Sequence, residues 1–294
     1  DAEASSLRRK LVGRAGPWQL VQLVSETNFA RLYTARPADA DEAQPPAYAV
    51  KMLRKEWWRD TSAIELFRRE AWVGNKVSHP HVVPVLSANV RQPPFYLAMP
   101  LLAGSTLRER LDQGWRPSTP EALWIARQVV EGLDALYQTV GMIHGDVKPE
   151  NVLLGPTGHA TLIDLGFARN PDEGRSWAHE TVMGSLAYIA PEVVTSAYVG
   201  SPQSDQYSLG VMLYELLTGR LPFESSDPAE LVAMHRGQKP PSILALRGDL
   251  SGDVASLVHM LLAKDPLRRG GTLAELAARL VRLEIDSFAV RLSA

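Results

Sequence analysis

In His144-Gly145-Asp146-Val147-Lys148-Pro149-Glu150-Asn151 an Asp is followed two residues on by a Lys and five residues on by an Asn, and a second Asp arrives in Asp164-Leu165-Gly166. The first three put a carboxylate, an ammonium and an amide on one tight loop; the next hairpin adds another carboxylate. These are the groups that phosphoryl transfer asks for: one to orient a hydroxyl, a cation for the transferring phosphate, and two oxygen ligands for Mg2+. Earlier in the chain Lys51 sits on a β-prone run, Ala49-Val50-Lys51, and Glu70 on a helical one. Glu70 stands three residues after Phe67 and four before Gly74, on the apolar face. A carboxylate there needs a cationic partner, or its desolvation goes uncompensated.

The elements that must position these residues come from a chain of 294 residues with 45% hydrophobic content, enough to bury a core in one large domain or two lobes. A formal net charge of −2 argues against general nucleic-acid binding, which needs a basic face. The absence of cysteine excludes disulfides and thiolate metal sites. No apolar run approaches the roughly 20 residues of a membrane span. Asp1–Lys10 is charged and small, unlike a signal peptide, and reads as an N-terminal extension of a cytoplasmic protein. A chain that begins with Asp rather than Met reads as a fragment, which leaves room for a membrane anchor or sensor domain beyond either end.

The first third reads as strands with one helix. Trp18–Val24 and Phe29–Ala35 are β-prone runs joined through Glu26-Thr27-Asn28, where the Asn would take the positive φ of a hairpin turn. Pro37–Ala47 is an acidic, Ala/Pro-rich loop, Tyr48–Leu53 a strand, and Thr61–Val77 a helix. Val82–Leu86 and Phe95–Met99 read as two further strands. From Leu101 helices dominate. Thr119-Pro120 gives an N-cap and a Pro at the first helical position. Ser208–Leu217, apolar nearly all round, is expected to be a buried central helix ending at Gly219. Thr272 and Glu275 form a capping box ahead of Leu276, Leu280 and Leu283.

In their order and spacing these motifs resemble the catalytic domain of the eukaryotic-like (Hanks-type) serine/threonine protein kinases, a kind also common in bacteria, over about Trp18 to Arg282. The resemblance implies an α+β, two-lobed kinase-like domain over residues 11–290. Its N-lobe (11–101) would be small, β-rich and furnished with one key helix, and its C-lobe (102–290) larger and mostly helical. It also implies the site. Asp146 would act as catalytic base, Lys148 would stabilise the transferring phosphate, and Asn151 and Asp164 would hold Mg2+ or Mn2+. Lys51, partnered by Glu70, would hold the α- and β-phosphates of ATP. Val24, Leu32, Ala49, Leu102 and Leu153 would surround the adenine, with Met99 behind it. Ser185, in Gly184-Ser185, would bond Asp146 and Lys148. Glu192 of Ala190-Pro191-Glu192 would pair with Arg269, and Asp205 would brace the catalytic loop. The partner would be a protein substrate offering Ser or Thr.

Five positions in three places depart from the family pattern. Ser25, Thr27 and Ala30 stand in the glycine places of the nucleotide loop, Val24–Tyr33. Glycines there let backbone N–H groups approach phosphate; the hydroxyls of Ser25 and Thr27 are candidate replacement donors. Gly145 replaces the Arg that receives a phosphorylated activation loop, so activity independent of phosphorylation at Ser176 or Thr181 is expected. Gly74 replaces a large apolar residue in the stack linking the lobes, which suggests a mobile Glu70 helix set by a regulatory partner or a dimer through the small lobe. Trp57 and Trp58 read as packing within that lobe, or else as a docking surface.

Three functions fit these residues: an active Ser/Thr protein kinase, a pseudokinase serving as a binding or scaffold module, and a small-molecule kinase similar to the aminoglycoside phosphotransferases. The last also use His-Gly-Asp followed by Asn. Lys148-Pro149, Asp164-Leu165-Gly166 and Ala190-Pro191-Glu192 favour protein substrates.

Overall fold

A computed structural model of the protein describes residues 13–172, 186–195 and 200–292. The chain forms two compact units, one from residues up to 78 together with 83–103, the other from 79–82 together with 104 onward.

The first unit is an antiparallel sheet with one long helix. Its strands are β1 (Gly13–Ala15), β2 (Trp18–Glu26), β3 (Ala30–Pro37), β4 (Tyr48–Leu53), β5 (Ser87–Asn89) and β6 (Tyr96–Pro100), in the order β1-β2-β3-β4-β6-β5. Alternating residues face inward, so Leu20, Tyr33, Ala35, Val50, Tyr96 and Ala98 share one core. Helix α1 (Thr61–Lys76) starts where the Asp60 carboxylate accepts the Ala63 N–H at 2.7 Å. It buries Phe67, Glu70, Ala71 and Gly74.

Three expectations need correction here. Residues 82–86 are not a strand. Pro84 interrupts the run, Val85 N–H bonds the Gly74 carbonyl (2.9 Å), and pairing with β6 begins with the Leu86 N–H on the Ala98 carbonyl (2.8 Å), just ahead of the strand Ser87–Asn89. Asn28 does not turn the hairpin with a positive φ, since Asp164 is the one non-glycine residue with positive φ among those described. The Thr27 hydroxyl closes that turn instead, accepting the N–H groups of Phe29 (3.3 Å) and Ala30 (3.0 Å). Nor is Gly74 a gap. A Cβ there would meet Val85 Cγ2 at 2.5 Å, so Val85 already fills the space a larger residue would take.

The loop after β3 is closed by Arg36, which is buried. Its guanidinium donates to the carbonyls of Glu42 and Gln44 and to Gln19 Oε1 (2.7 Å).

The second unit is mostly helical, with a small sheet of β7 (Ser105–Thr106), β8 (Val152–Leu154) and β9 (Ala160–Leu162). Its described helices are α2 (Leu107–Asp112), α3 (Thr119–Val140), α4 (Pro191–Thr195), α5 (Pro202–Thr218), α6 (Pro228–Gly237), α7 (Ile243–Leu246), α8 (Gly252–Leu261) and α9 (Leu273–Leu292). Ser118, rather than Thr119, caps α3, and Glu121 bonds the Ser118 N–H at 2.7 Å. Helix α5 is buried almost throughout and ends at Gly219, whose φ of 73° is the left-handed cap expected of it. Thr272 and Glu275 bond reciprocally at the start of α9. Leu123, Leu133, Tyr207, Leu213, Leu257 and Leu280 join one core around α3 and α5.

Candidate active site

In the first unit β4 and α1 bring Lys51 and Glu70 together. β4 lies between β3 and β6, so Lys51 pairs in register with Leu32 and Leu97. Its Nζ lies 2.7 Å from Glu70 Oε2 and 5.7 Å from the centre of the Phe67 ring. The Glu70 side chain is 4% exposed, so the pair supplies the cation that its burial requires. Ala49 and Met99 are buried cross-strand partners, Leu32 is half-buried, and Val24 and Ser25 are exposed. Leu102 belongs to this unit too, and Leu153 to the second, on β8.

The hairpin in the glycine-loop position is tied up internally. Besides the bonds to the Thr27 hydroxyl, Thr27 N–H donates to the Ala30 carbonyl at 2.8 Å. The hydroxyl itself donates to that same carbonyl at 3.2 Å, so it is engaged inside the turn. Ser25 pairs across the hairpin with Leu32.

In the second unit the stretch from Ile143 to Asn151 is anchored at both ends and underneath. Ile143 and Arg169 exchange backbone hydrogen bonds of 2.9 and 3.0 Å. The Asp205 carboxylate on α5 accepts the N–H groups of His144 (2.8 Å) and Gly145 (2.9 Å). Burial raises the Asp205 pKa, and His144 and the two N–H groups oppose that rise. At the far end Asn151 Nδ2 donates to both the backbone carbonyl and Oδ2 of Asp146, each at 2.8 Å. Lys148 Nζ reaches the same Oδ2 at 2.7 Å. Asp146, Lys148 and Asn151 therefore form one cluster.

Asp164 is delivered beside this cluster by its neighbour, for Ile163 N–H bonds the Asn151 carbonyl at 2.9 Å. Its own backbone is left-handed (φ 63°, ψ 72°), a strained conformation for a non-glycine residue. Ser185, Ser176 and Thr181 lie outside the described residues. Gly145 has φ +76°, and a Cβ there would lie 2.9 Å from the Phe167 carbonyl and 3.4 Å from Arg169 Nε. A guanidinium thus stands beside the position although the chain has no Arg at 145.

Two further charged groups tie elements of this unit together, and the second of them reaches the loop through Glu150. Arg269, fully buried, holds both Glu192 oxygens at 2.6 and 2.7 Å, and its remaining N–H groups bond the carbonyls of Ala263, Gln203 and Lys264. All five guanidinium donors are satisfied. Arg108 on α2 bonds Glu150 (3.0 Å), Glu215 (3.0 Å) and the Tyr188 hydroxyl (2.5 Å), and Tyr188 donates to Glu215 at 2.6 Å. Sequence reasoning missed this network, because Arg108 spaced four before Asp112 reads as one half of a surface helix pair.

A β-rich unit with a closed Lys–Glu pair, and a helical unit with a braced Asp-Lys-Asn loop, define the protein-kinase class of fold. The protein kinase domain profile matches residues 21–280, and the chain belongs to that family, in its bacterial Hanks-type serine/threonine branch. It is 28% identical over 286 residues to the probable serine/threonine-protein kinase pknA2 of Bifidobacterium longum, covering 95% of this chain and 37% of the relative. It is 28% identical over 270 residues to PrkC of Bacillus subtilis, covering 91% and 41%. To PknA of Mycobacterium tuberculosis it is 34% identical over 272 residues, covering 90% and 61%. The chain therefore spans about a third to three fifths of the length of these relatives. Among the described residues no helix is long and apolar enough to cross a membrane.

Proposed function

We propose that this chain is an active serine/threonine protein kinase domain that transfers the γ-phosphate of Mg-ATP to protein hydroxyls. The observation that carries the reading is the Asp146–Lys148–Asn151 cluster on a backbone braced by Asp205. Asp146 would orient the acceptor hydroxyl and take its proton, and Lys148 beside it would offset charge on the transferring phosphate. Lys51, held by Glu70, would bind the α- and β-phosphates. Asn151 and Asp164 fit a divalent ion. The Asn151 amide directs its nitrogen to Asp146, which turns its oxygen the other way, and Asp164 adds a carboxylate from the adjoining turn. Mg2+ commonly takes one or two protein carboxylates and completes its shell with phosphate and water. Bound there, the metal would neutralise phosphate charge. ATP being an intracellular metabolite, the domain would work in the cytoplasm, and any regulatory partner or small-lobe dimer would act through the first unit.

One observation favours a second reading, a pseudokinase. The N–H groups of Thr27, Phe29 and Ala30 are all engaged inside their own turn, which supports weak nucleotide binding. Phosphate transfer from Mg-ATP or Mn-ATP to the protein itself and to a generic Ser/Thr substrate decides between them. Wild type is expected to incorporate phosphate, and Asp146→Asn to lose turnover by about a hundredfold or more while keeping nucleotide affinity. Binding without transfer under every condition would favour the pseudokinase.

A further inference from the structure

Beside the Glu192–Arg269 pair the second unit opens a cavity of about 240 Å³, lined by Pro191, Glu192, Arg236 and Lys264. Its charges do not cancel. Both Glu192 oxygens are already held by Arg269. That leaves Arg236, exposed at the end of α6, and Lys264, half-buried after α8. Neither forms an ion pair among the described residues. Lys264 Nζ rests instead 4.3 Å from the centre of the Phe223 ring and donates to the Tyr207 hydroxyl at 3.2 Å. Arg269 lies 4.8 Å from the centre of that same Tyr207 ring, which adds a like charge behind it. Burial and then the Arg269 charge lower the Lys264 pKa to about 8, and no carboxylate opposes them. Positive charge that no protein anion answers, at the wall of an open cavity, raises the local concentration of anions. An ammonium and a guanidinium together suit a tetrahedral dianion, whose several oxygens can serve both and whose charge offsets both.

We propose that Lys264 and Arg236 form a phosphate-binding site, taking orthophosphate or a phosphate monoester into the cavity beside Glu192. None of the residues lining it belongs to the Asp146 cluster, and the inference does not depend on the kinase reading. The bound phosphate would give each cation the partner it lacks.

The test follows the lysine side chains by NMR with 13C at Cε, the Lys264 signal being assigned by its loss in Lys264→Met. Its titration midpoint is measured in wild type and in Arg236→Gln. The additions are inorganic phosphate, a phosphoserine peptide, the same peptide unphosphorylated, and chloride at matched ionic strength. Saturating phosphate should raise the wild-type midpoint by about one pH unit or more, as a close opposite charge does. Arg236→Gln, whose side chain is exposed, should need roughly tenfold more phosphate for the same shift. A larger shift with the phosphoserine peptide upholds the site with a phosphorylated segment as its occupant; a shift with inorganic phosphate alone upholds it for the free anion. A shift no greater than chloride gives, an equal one with the unphosphorylated peptide, or an unchanged response in Arg236→Gln would overturn the proposal. Lys51 and Lys148 report phosphate bound at the catalytic cluster through their own signals. No turnover is measured, so an inactive wild type would count against the kinase reading and leave this result standing.

Discussion

At φ +76°, with the Phe167 carbonyl 2.9 Å from where a Cβ would lie, position 145 suits glycine in both backbone and space. Restoring the family's residue should therefore harm the protein. Gly145→Arg is expected to lose about 1–3 kcal/mol of stability, seen as a lower urea midpoint, and to lower turnover through the adjoining Asp146. The cluster of Asp146, Lys148 and Asn151 was legible in the sequence because the three lie at short, fixed spacings along one loop. Asp146, Lys148 and Asn151 do converge. Arg108 was not legible as a partner of the site, since its contact with Tyr188 spans 80 residues. No periodicity encodes such a distance.

Helix α1 is fixed by close packing of backbone on side chain. Gly74→Ala should drive its new methyl into Val85 Cγ2 and cost about 1–3 kcal/mol, and Val85→Ala in the same chain should recover part of that loss. Additive losses in a double-mutant cycle would show that the two positions do not touch. Glycine read from sequence alone suggests looseness; its partner, eleven residues on and beyond a turn, makes it a contact. Helix α6 carries a different signal. His235 is fully buried against Tyr207, whose hydroxyl is 2.9 Å away, and Phe223. Burial and then the Lys264 charge lower its pKa to about 4. An unfolded His titrates near 6.5, so below that pH the unfolded chain takes up a proton that the folded one refuses. Stability should be intact above about pH 6.5 and fall toward pH 4, by up to ~1.4 kcal/mol per pH unit. Denaturation curves at pH 7 and pH 5 would show a smaller difference in His235→Gln.

Taken whole, the molecule divides into a sheet-built unit and a helix-built one, and the switch from period two to period 3.6 along the chain announced both. Strand limits were less legible near Pro84, where backbone pairing depended on partners far away. Activity is expected to persist in Ser176→Ala and Thr181→Ala, measured as phosphate transfer. A loss confined to Thr181→Ala and reversed by Thr181→Glu would instead make Arg169, beside Gly145, the cation that reads a phosphate. The loop after β3 bears on how such a domain can vary. Because Arg36 buttons the loop's return to its root, the span between Asp39 and Asp41 can lengthen while the sheet's register stays put. Closure entropy grows only slowly with length, so this is the natural place for lineages to insert new sequence, and for an experimenter to graft a tag or a small domain.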